Sequence, residues 1–394
     1  MKFPGEYDKT IFHIVHGRFV VLFVLLLFVF LVHLQSCTKP AEQKDKTEPS
    51  IGIKYATGFT VKKVGNAMLV TVTHPFKDAK SGYQYLLVPR GETAPGHAAG
   101  VQVINVPVES IVCTSTTHIP HLDYLGVSDK LVGFPSTDYI SSQTTRKLVD
   151  AGAVKELGVD NALNLEKLYT LRPSLVMGYT MTADLGQLKK IQEMGLPVVI
   201  NAEYLEGDAL GRAEWIKFTS LFFGKEKVAD SVFSMIEQEY RATQTLLSKV
   251  QQRPSVLLGN VYGDAWFMPG GGNYAATFLK DAGCKYLWAD DPTTGWLELS
   301  FEAVYDKGKD ADLWIIPSPD TFDELKAIDE RYALFKPFKT KMIYNYNARI
   351  GDKGGNDFLE LGYLRPDMIL KDLGKIAHPE LLPEHELFFY RQLR

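Results

Sequence analysis

Cysteine is scarce in this chain. Three occur in 394 residues, at 37, 113 and 284, so no disulfide framework holds the fold together. An excess of charge is missing as well: 43 basic and 47 acidic residues leave a formal net charge of -4, which gives no basic face for nucleic acid. There is no repeat of solenoid type. Gly270-Gly271-Gly272 is not followed by Gly-Lys-Ser/Thr, so the phosphate-loop pattern fails, and a tight turn or a close backbone approach is enough to explain it. A Gly-x-Ser-x-Gly element is absent, and no combination of nucleophile, base and orienting group stands out. What the chain does have is 45% hydrophobic and 12% aromatic content, enough to bury a full core, at a length that predicts two lobes.

Residues 1–36 have the layout of a signal peptide. Lys2, Lys9 and Arg18 precede fourteen uninterrupted apolar residues, Phe19 to Val32. That run is shorter than the roughly 20 residues of a spanning helix. It leads into Leu34-Gln35-Ser36-Cys37, which looks like a lipobox, with Cys37 the residue that lipoprotein processing acylates. The alternative is a retained anchor helix with an incidental cysteine; either way the rest lies outside the cytoplasmic membrane. Residues 37–50 contain no large apolar side chain and are expected to form a flexible tether.

Strand-like runs fill residues 51–107, including Met68 to Val72, Tyr83 to Val88 and Val101 to Val106, and they predict an antiparallel β extension. From 108 to 222 short buried strands alternate with helices, beginning at Ser110-Ile111-Val112-Cys113. Such alternation argues for a mostly parallel sheet covered by helices. The same order of signals returns from 254 to 394: a strand at Ser255 to Gly259, a loop through Trp266 to Gly272, and a helix from Tyr274 to Ala282. Strands are expected at 311–316 and 341–344, and helices at 366–373 and 384–393. Between the halves, in 223–253, lies one long amphipathic run from about Lys225 to Gln252. Gly224 precedes it, Pro254 follows it, and apolar residues recur at Val228, Val232, Met235, Ile236, Leu246, Leu247 and Val250.

Two segments carry a family resemblance. Asn164-Leu165-Glu166-Lys167-Leu168 followed by Arg172-Pro173-Ser174-Leu175-Val176, and Trp296-Leu297-Glu298-Leu299-Ser300-Phe301-Glu302 after a glycine-rich loop, resemble the two lobes of periplasmic binding proteins for cobalamin, haem and ferric siderophores. The resemblance spans about 108–375 and implies an α/β fold of two Rossmann-like lobes joined by one rigid helix, with cargo held between them and collected by an ABC permease. It implies no cofactor beyond that cargo, no catalysis and a monomer. The matching family glutamates dock on permease arginines, and this expectation falls on Glu166 and Glu302. Each also follows a candidate N-cap, Asn164 or Ser300, where a carboxylate offsets the helix dipole.

For the cargo, aromatic and apolar contacts are expected from Phe134, Tyr139, Trp266, Phe267 and Trp296, the last aligning with a cleft tryptophan of cobalamin binders. Arg349 lies where the family places a polar contact and could meet a propionate or phosphate. His118 and His121, three apart, have acceptable ligand spacing but no third partner nearby, so no resident metal is expected; His118 or Tyr139 could serve as an axial ligand to haem iron. Cys113 and Cys284 read as buried apolar residues. The rival reading is an extracytoplasmic enzyme acting on a tetrapyrrole or metal complex, with His118, His121, Glu298 or Asp138 as acid and base. A weaker third is a purely structural surface lipoprotein.

Overall fold

The computed structural model describes residues 52–160 and 162–394, so the leader, Cys37 and the tether lie outside the described residues. All described residues belong to one compact unit, Pro49–Arg394.

Each lobe is built on its own five-stranded sheet. In the first lobe the strands lie in the order Val198–Ile200, Leu175–Gly178, Ile111–Cys113, Leu131–Phe134, Lys155–Glu156, all parallel. In the second the order is Lys285–Tyr286, Ser255–Leu258, Leu313–Ile316, Ile343–Asn345, Arg391–Gln392, and only the last strand is antiparallel. The central strands read as unbroken apolar runs, Ile-Val-Cys and Leu-Trp-Ile-Ile, because helices cover them on both faces and every side chain is buried. In each sheet the chain leaves a central strand toward opposite flanks, and the carboxyl ends of strands at such a reversal are where α/β sheets hold ligands.

The bridging helix runs from Glu226 to Leu247. Its buried stripe, Ala229, Phe233, Ile236, Tyr240, Thr243 and Leu247, advances by alternate steps of four and three residues, as one helix face requires. The stripe packs on Ala209–Leu221 of the first lobe and on Pro366–Ala377 of the second. Polar ties add to it on both sides: Lys217 pairs with Asp230 at 3.3 Å, Lys371 with Glu239 at 2.6 Å, and the Tyr240 hydroxyl donates to Asp281 at 2.7 Å. The helix ends five residues earlier than the sequence predicts. Lys249 and Val250 bond to carbonyls three residues back, Leu246 and Leu247, which tightens the last turn ahead of Arg253-Pro254.

Residues Phe59–Val64, Ala67–Val72, Tyr83–Pro89 and Gln102–Val106 form a separate four-stranded sheet. Its first three strands are antiparallel; the fourth is parallel to the third, because residues 90–101 carry the chain back to the same edge. One face, with Phe59, Val61, Val70, Val72, Tyr85 and Ile104, joins the main core. The Tyr85 hydroxyl accepts from the Ile200 N–H at 3.0 Å, so this sheet covers the edge strand of the first lobe. Upstream, the N–H groups of Lys54, Tyr55 and Ala56 donate to the buried Glu214, and those of Thr57 and Gly58 to Glu206. The helix Ala209–Leu221 is buried on every side, and here its acidic and basic side chains serve backbone groups.

The segment 384–393 is not the helix its composition predicts. Asp372, fully buried, accepts from the N–H groups of Phe388, Phe389 and Tyr390 at 2.6 to 3.1 Å and holds that segment extended into the strand Arg391–Gln392.

Candidate ligand cleft

The parallel strands Ser255–Leu258, Leu313–Ile316 and Ile343–Asn345 end along one edge of the second-lobe sheet. Gly259, Pro317, Ser318 and Tyr346 follow those ends and line a cavity of about 620 Å³. Aromatic side chains make up much of the remaining wall, with Tyr262, Phe267, Tyr274, Trp296, Phe358, Tyr363 and Tyr390. Tyr346 and Phe358 stack at 4.4 Å with their planes 20° apart. Burial pushes the phenols of Tyr274 and Tyr346 up to about 12, so both stay neutral.

Trp266 and Phe267, expected in a loop, lie instead with Trp296 on a small antiparallel sheet of Asn260–Tyr262, Ala265–Pro269 and Trp296–Leu299. Alternation along a strand then separates neighbours. Phe267 faces the cavity and Trp296, 67% exposed, stands at its mouth. Trp266 turns the other way and is fully buried, stacked on Trp314 at 5.4 Å with its indole N–H donating to the Leu258 carbonyl at 2.9 Å. It is a core residue, not a cleft contact. Phe134, at the last position of a first-lobe strand, is likewise buried at 2% exposure and unavailable to cargo. Their aromatic character carried no signal of which face they would take.

Tyr139 is exposed, in the turn Thr137–Tyr139, and does not line the apolar cavity. Arg349 does not line it either. Its Nε donates to Asp357 at 2.7 Å and its guanidinium lies 4.4 Å from the Phe388 ring centre. It borders a different, polar cavity of about 470 Å³, between residues 140–150 of the first lobe and 348–357 of the second.

At that place the lobes touch. Glu360, buried to 1% exposure, accepts from the N–H groups of Ser141 and Ser142 at 2.7 Å each, and Arg365 donates to the Tyr124 hydroxyl at 2.8 Å. Gly355 lies so close that a Cβ there would sit 2.4 Å from the Tyr139 carbonyl oxygen, which excludes any side chain. The sequence gives no sign of this clasp, since its partners are more than 200 residues apart. Gly270, Gly271 and Gly272 are explained in the same way: a Cβ on each would fall within 2.8 Å of carbonyls in 288–293, so the glycines pack against the chain itself.

Beyond the carboxyl ends of the first-lobe strands lies a smaller cavity of about 270 Å³, bordered by Thr114, Asp160, Tyr179, Thr180, Met181 and Asp184. It connects to the second lobe through a chain of contacts: Tyr204 donates to the Thr180 carbonyl at 2.7 Å, Arg212 donates to the Tyr204 carbonyl at 2.9 Å, and Arg212 lies 3.6 Å from the ring centre of Tyr274. Deeper in the first lobe, His121 approaches Glu203 at 3.6 Å and shares a 2.8 Å hydrogen bond with Thr219. Burial lowers His118 and His121 to about 3 and raises Glu203 to about 7. Neither imidazole reaches the cavities, and Glu298 lies on the other lobe, paired across strands with Phe267. Asp138 is exposed in the turn Thr137–Tyr139, so the acid and base set of the rival reading is not brought together. Among the described residues no cluster of three or more His, Cys, Asp or Glu could hold a metal. Cys113 and Cys284 are buried and unpaired.

Glu166 and Glu302 are exposed in the first turns of equivalent helices, one per lobe, and their N-caps are made by Asn164 and Ser300, whose side chains accept from the backbone at 2.9 and 3.2 Å. Glu302 also pairs with Arg331 at 3.1 Å. Among the described residues no helix is long and apolar enough to cross a membrane.

Residues 111–350 match the sequence model of a family described as periplasmic binding protein. Two proteins of Methanocaldococcus jannaschii named as uncharacterized lipoproteins are similar to this chain. One is 25% identical, covering 80% of this chain and 77% of the relative; the other is 26% identical, covering 92% of each. Among solved structures, the periplasmic heme-binding protein RhuT from Roseiflexus sp. RS-1 superposes with a TM-score of 0.54 at 20% identity, over 69% of this chain and 99% of that one. At that identity the likeness is one of fold.

Proposed function

The chain belongs to the periplasmic binding protein family, and from that premise we propose that it is the extracytoplasmic, lipid-anchored binding component of an ABC importer for a metal chelate: an iron complex, haem or a corrinoid. The observation that carries this reading is the aromatic cavity at the carboxyl ends of the second-lobe strands, with Phe267 and Trp296 on its wall. A flat or compact chelate is held by stacking and apolar contact, and a cavity of this size suits one. The uncharacterized lipoproteins to which the chain is similar support an anchor at Cys37. Exposed Glu166 and Glu302, one on each lobe, supply the paired acidic contacts for permease arginines, and Arg331 must yield Glu302 when docking occurs.

The protein makes and breaks no bond in its cargo. Incubation with haem, a corrinoid and ferric chelates, followed by mass spectrometry, tests this: the bound fraction should be recovered with its mass unchanged. A chemically altered product would favour an enzyme, and no retained chelate would remove the carrier reading.

A further inference from the structure

The aromatic cavity of the second lobe is walled without charge. Among the described residues that line it there is no Asp, Glu, Lys, Arg or His; its polar groups are the Asn260 and Asn273 amides, the Ser318 hydroxyl and tyrosine hydroxyls. The Arg212 guanidinium keeps its charge but does not line the cavity, and two of its N–H groups are spent on backbone carbonyls. It donates to the carbonyls of Glu206 and Tyr204 at 2.9 Å each, and it lies behind the cavity rings, 3.6 Å from the ring centre of Tyr274 and 4.9 Å from that of Tyr363. The separate first-lobe cavity carries two acids, Asp160 and Asp184, and among the described residues that border it no base. The basic side chains nearby, Arg146, Arg349 and Lys353, border the separate polar cavity, and there Arg146 pairs with Asp150 and Arg349 with Asp357.

A multiply charged anion entering this cavity would exchange its hydration for uncharged walls, with no cation on the wall to pair with it and Arg212 screened behind the rings. A metal centre with an open coordination position would find no imidazole on the wall. The phenols of Tyr274 and Tyr346 resist the ionisation that ligation needs, and Tyr262 stands four-fifths exposed at the rim, where water competes.

We infer that this cavity selects an electroneutral chelate whose metal is already saturated by its own ligands, and that it refuses polyanionic chelates and haem with an open axial position. The inference rests on the carrier reading above and narrows its cargo. It makes the uncharged wall a selectivity device, with stacking supplying affinity and the missing cations supplying exclusion.

The test is a fluorescence titration of the purified chain with four probes. They are a neutral cyanide-capped corrinoid, a neutral ferric trihydroxamate, haem, and a trianionic ferric tris-catecholate. The expected result is that at least one neutral probe binds on the order of a hundredfold more tightly than the trianion. Its Kd should hold within about twofold across a tenfold range of salt, and Trp296→Ala should weaken it. In Asn260→Lys, which places a cation in the wall, the trianion should gain affinity. Tighter binding of the trianion or of haem than of both neutral probes in the unaltered chain would overturn the inference while leaving the carrier reading intact. So would a haem complex whose charge-transfer band disappears in Tyr262→Phe. Failure of all four probes to bind would instead overturn the carrier reading, and this inference with it.

Discussion

Stability should be greatest between about pH 4.5 and 6.5 and fall on both sides, because four buried groups titrate far from their ordinary values. Burial raises Glu360 from 4.5 to about 8, helped by Asp357 and Asp123, against the two N–H groups that favour its anion. Burial also raises Glu203 to about 7 and lowers His118 and His121 from 6.5 to about 3. A carboxyl raised in the fold contributes stability that is complete below 4.5 and lost as the pH climbs through its folded value. An imidazole lowered in the fold contributes stability that is complete above 6.5 and lost as the pH drops toward 3. Between those limits the two effects cancel.

His121 and Glu203 stand 3.6 Å apart, and from about pH 3 to 7 burial keeps the imidazole neutral and the carboxyl protonated in the fold. At roughly 1.4 kcal/mol per proton per pH unit, these groups remove about 3 kcal/mol between pH 6.5 and 8, and about 4 kcal/mol between 4.5 and 3. Those are large fractions of a typical 5 to roughly 15 kcal/mol total. Urea denaturation followed by intrinsic fluorescence across pH 3 to 8.5 measures the profile. Glu360→Gln should remove most of the alkaline arm, about 2 kcal/mol, because that residue carries most of the excess protons there. A stability that rises steadily from pH 5 to 8 in the unaltered chain would refute the reasoning.

The two tryptophans of the small second-lobe sheet should part company. Trp296→Ala should weaken cargo binding at least roughly tenfold with stability changed by less than about 0.5 kcal/mol, whereas Trp266→Ala should cost about 3 to 5 kcal/mol by urea midpoint. Gly355→Ala, driven against the Tyr139 carbonyl, should destabilise by about 1 to 3 kcal/mol and speed hydrogen exchange at the Ser141 and Ser142 amides; unchanged protection there would mean that the clasp does not depend on close approach. Paired charge reversal, Glu166→Arg with Glu302→Arg, should abolish uptake in cells while cargo affinity in vitro stays the same, and a matching loss of affinity would place these residues in the site instead.

Local pattern carried much of the fold into the sequence. Apolar strand runs, N-caps at Asn164 and Ser300, and a stripe at helical spacing between Gly224 and Pro254 were enough to expect two α/β lobes and a bridging helix. Features set by distant partners could not be seen. Asp372 overrides the helical tendency of 384–393 by binding three backbone amides, and Glu360 finds its partners more than 200 residues away. The cleft was legible only in part for a related reason. An aromatic residue advertises burial in something, and one step along a strand decides whether that something is cargo, as for Phe267, or the protein's own core, as for Trp266. Arg212 gave no signal at all, since its role beneath Tyr274 and Tyr363 depends on a contact between lobes.

The halves are fastened in at least three places: by the helix Glu226–Leu247, by Arg212 lying on Tyr274 and Tyr363, and by the contact of Glu360 and Gly355 with residues 139–142. A body tied to its neighbour at several separate points keeps no soft hinge, only small adjustments at each tie. Wide gaping would require several of these ties to be drawn together, so hand-over of a cargo calls for a slight shift of one half on the other, or for a partner strong enough to pull the carboxylate of Glu360 from its amides.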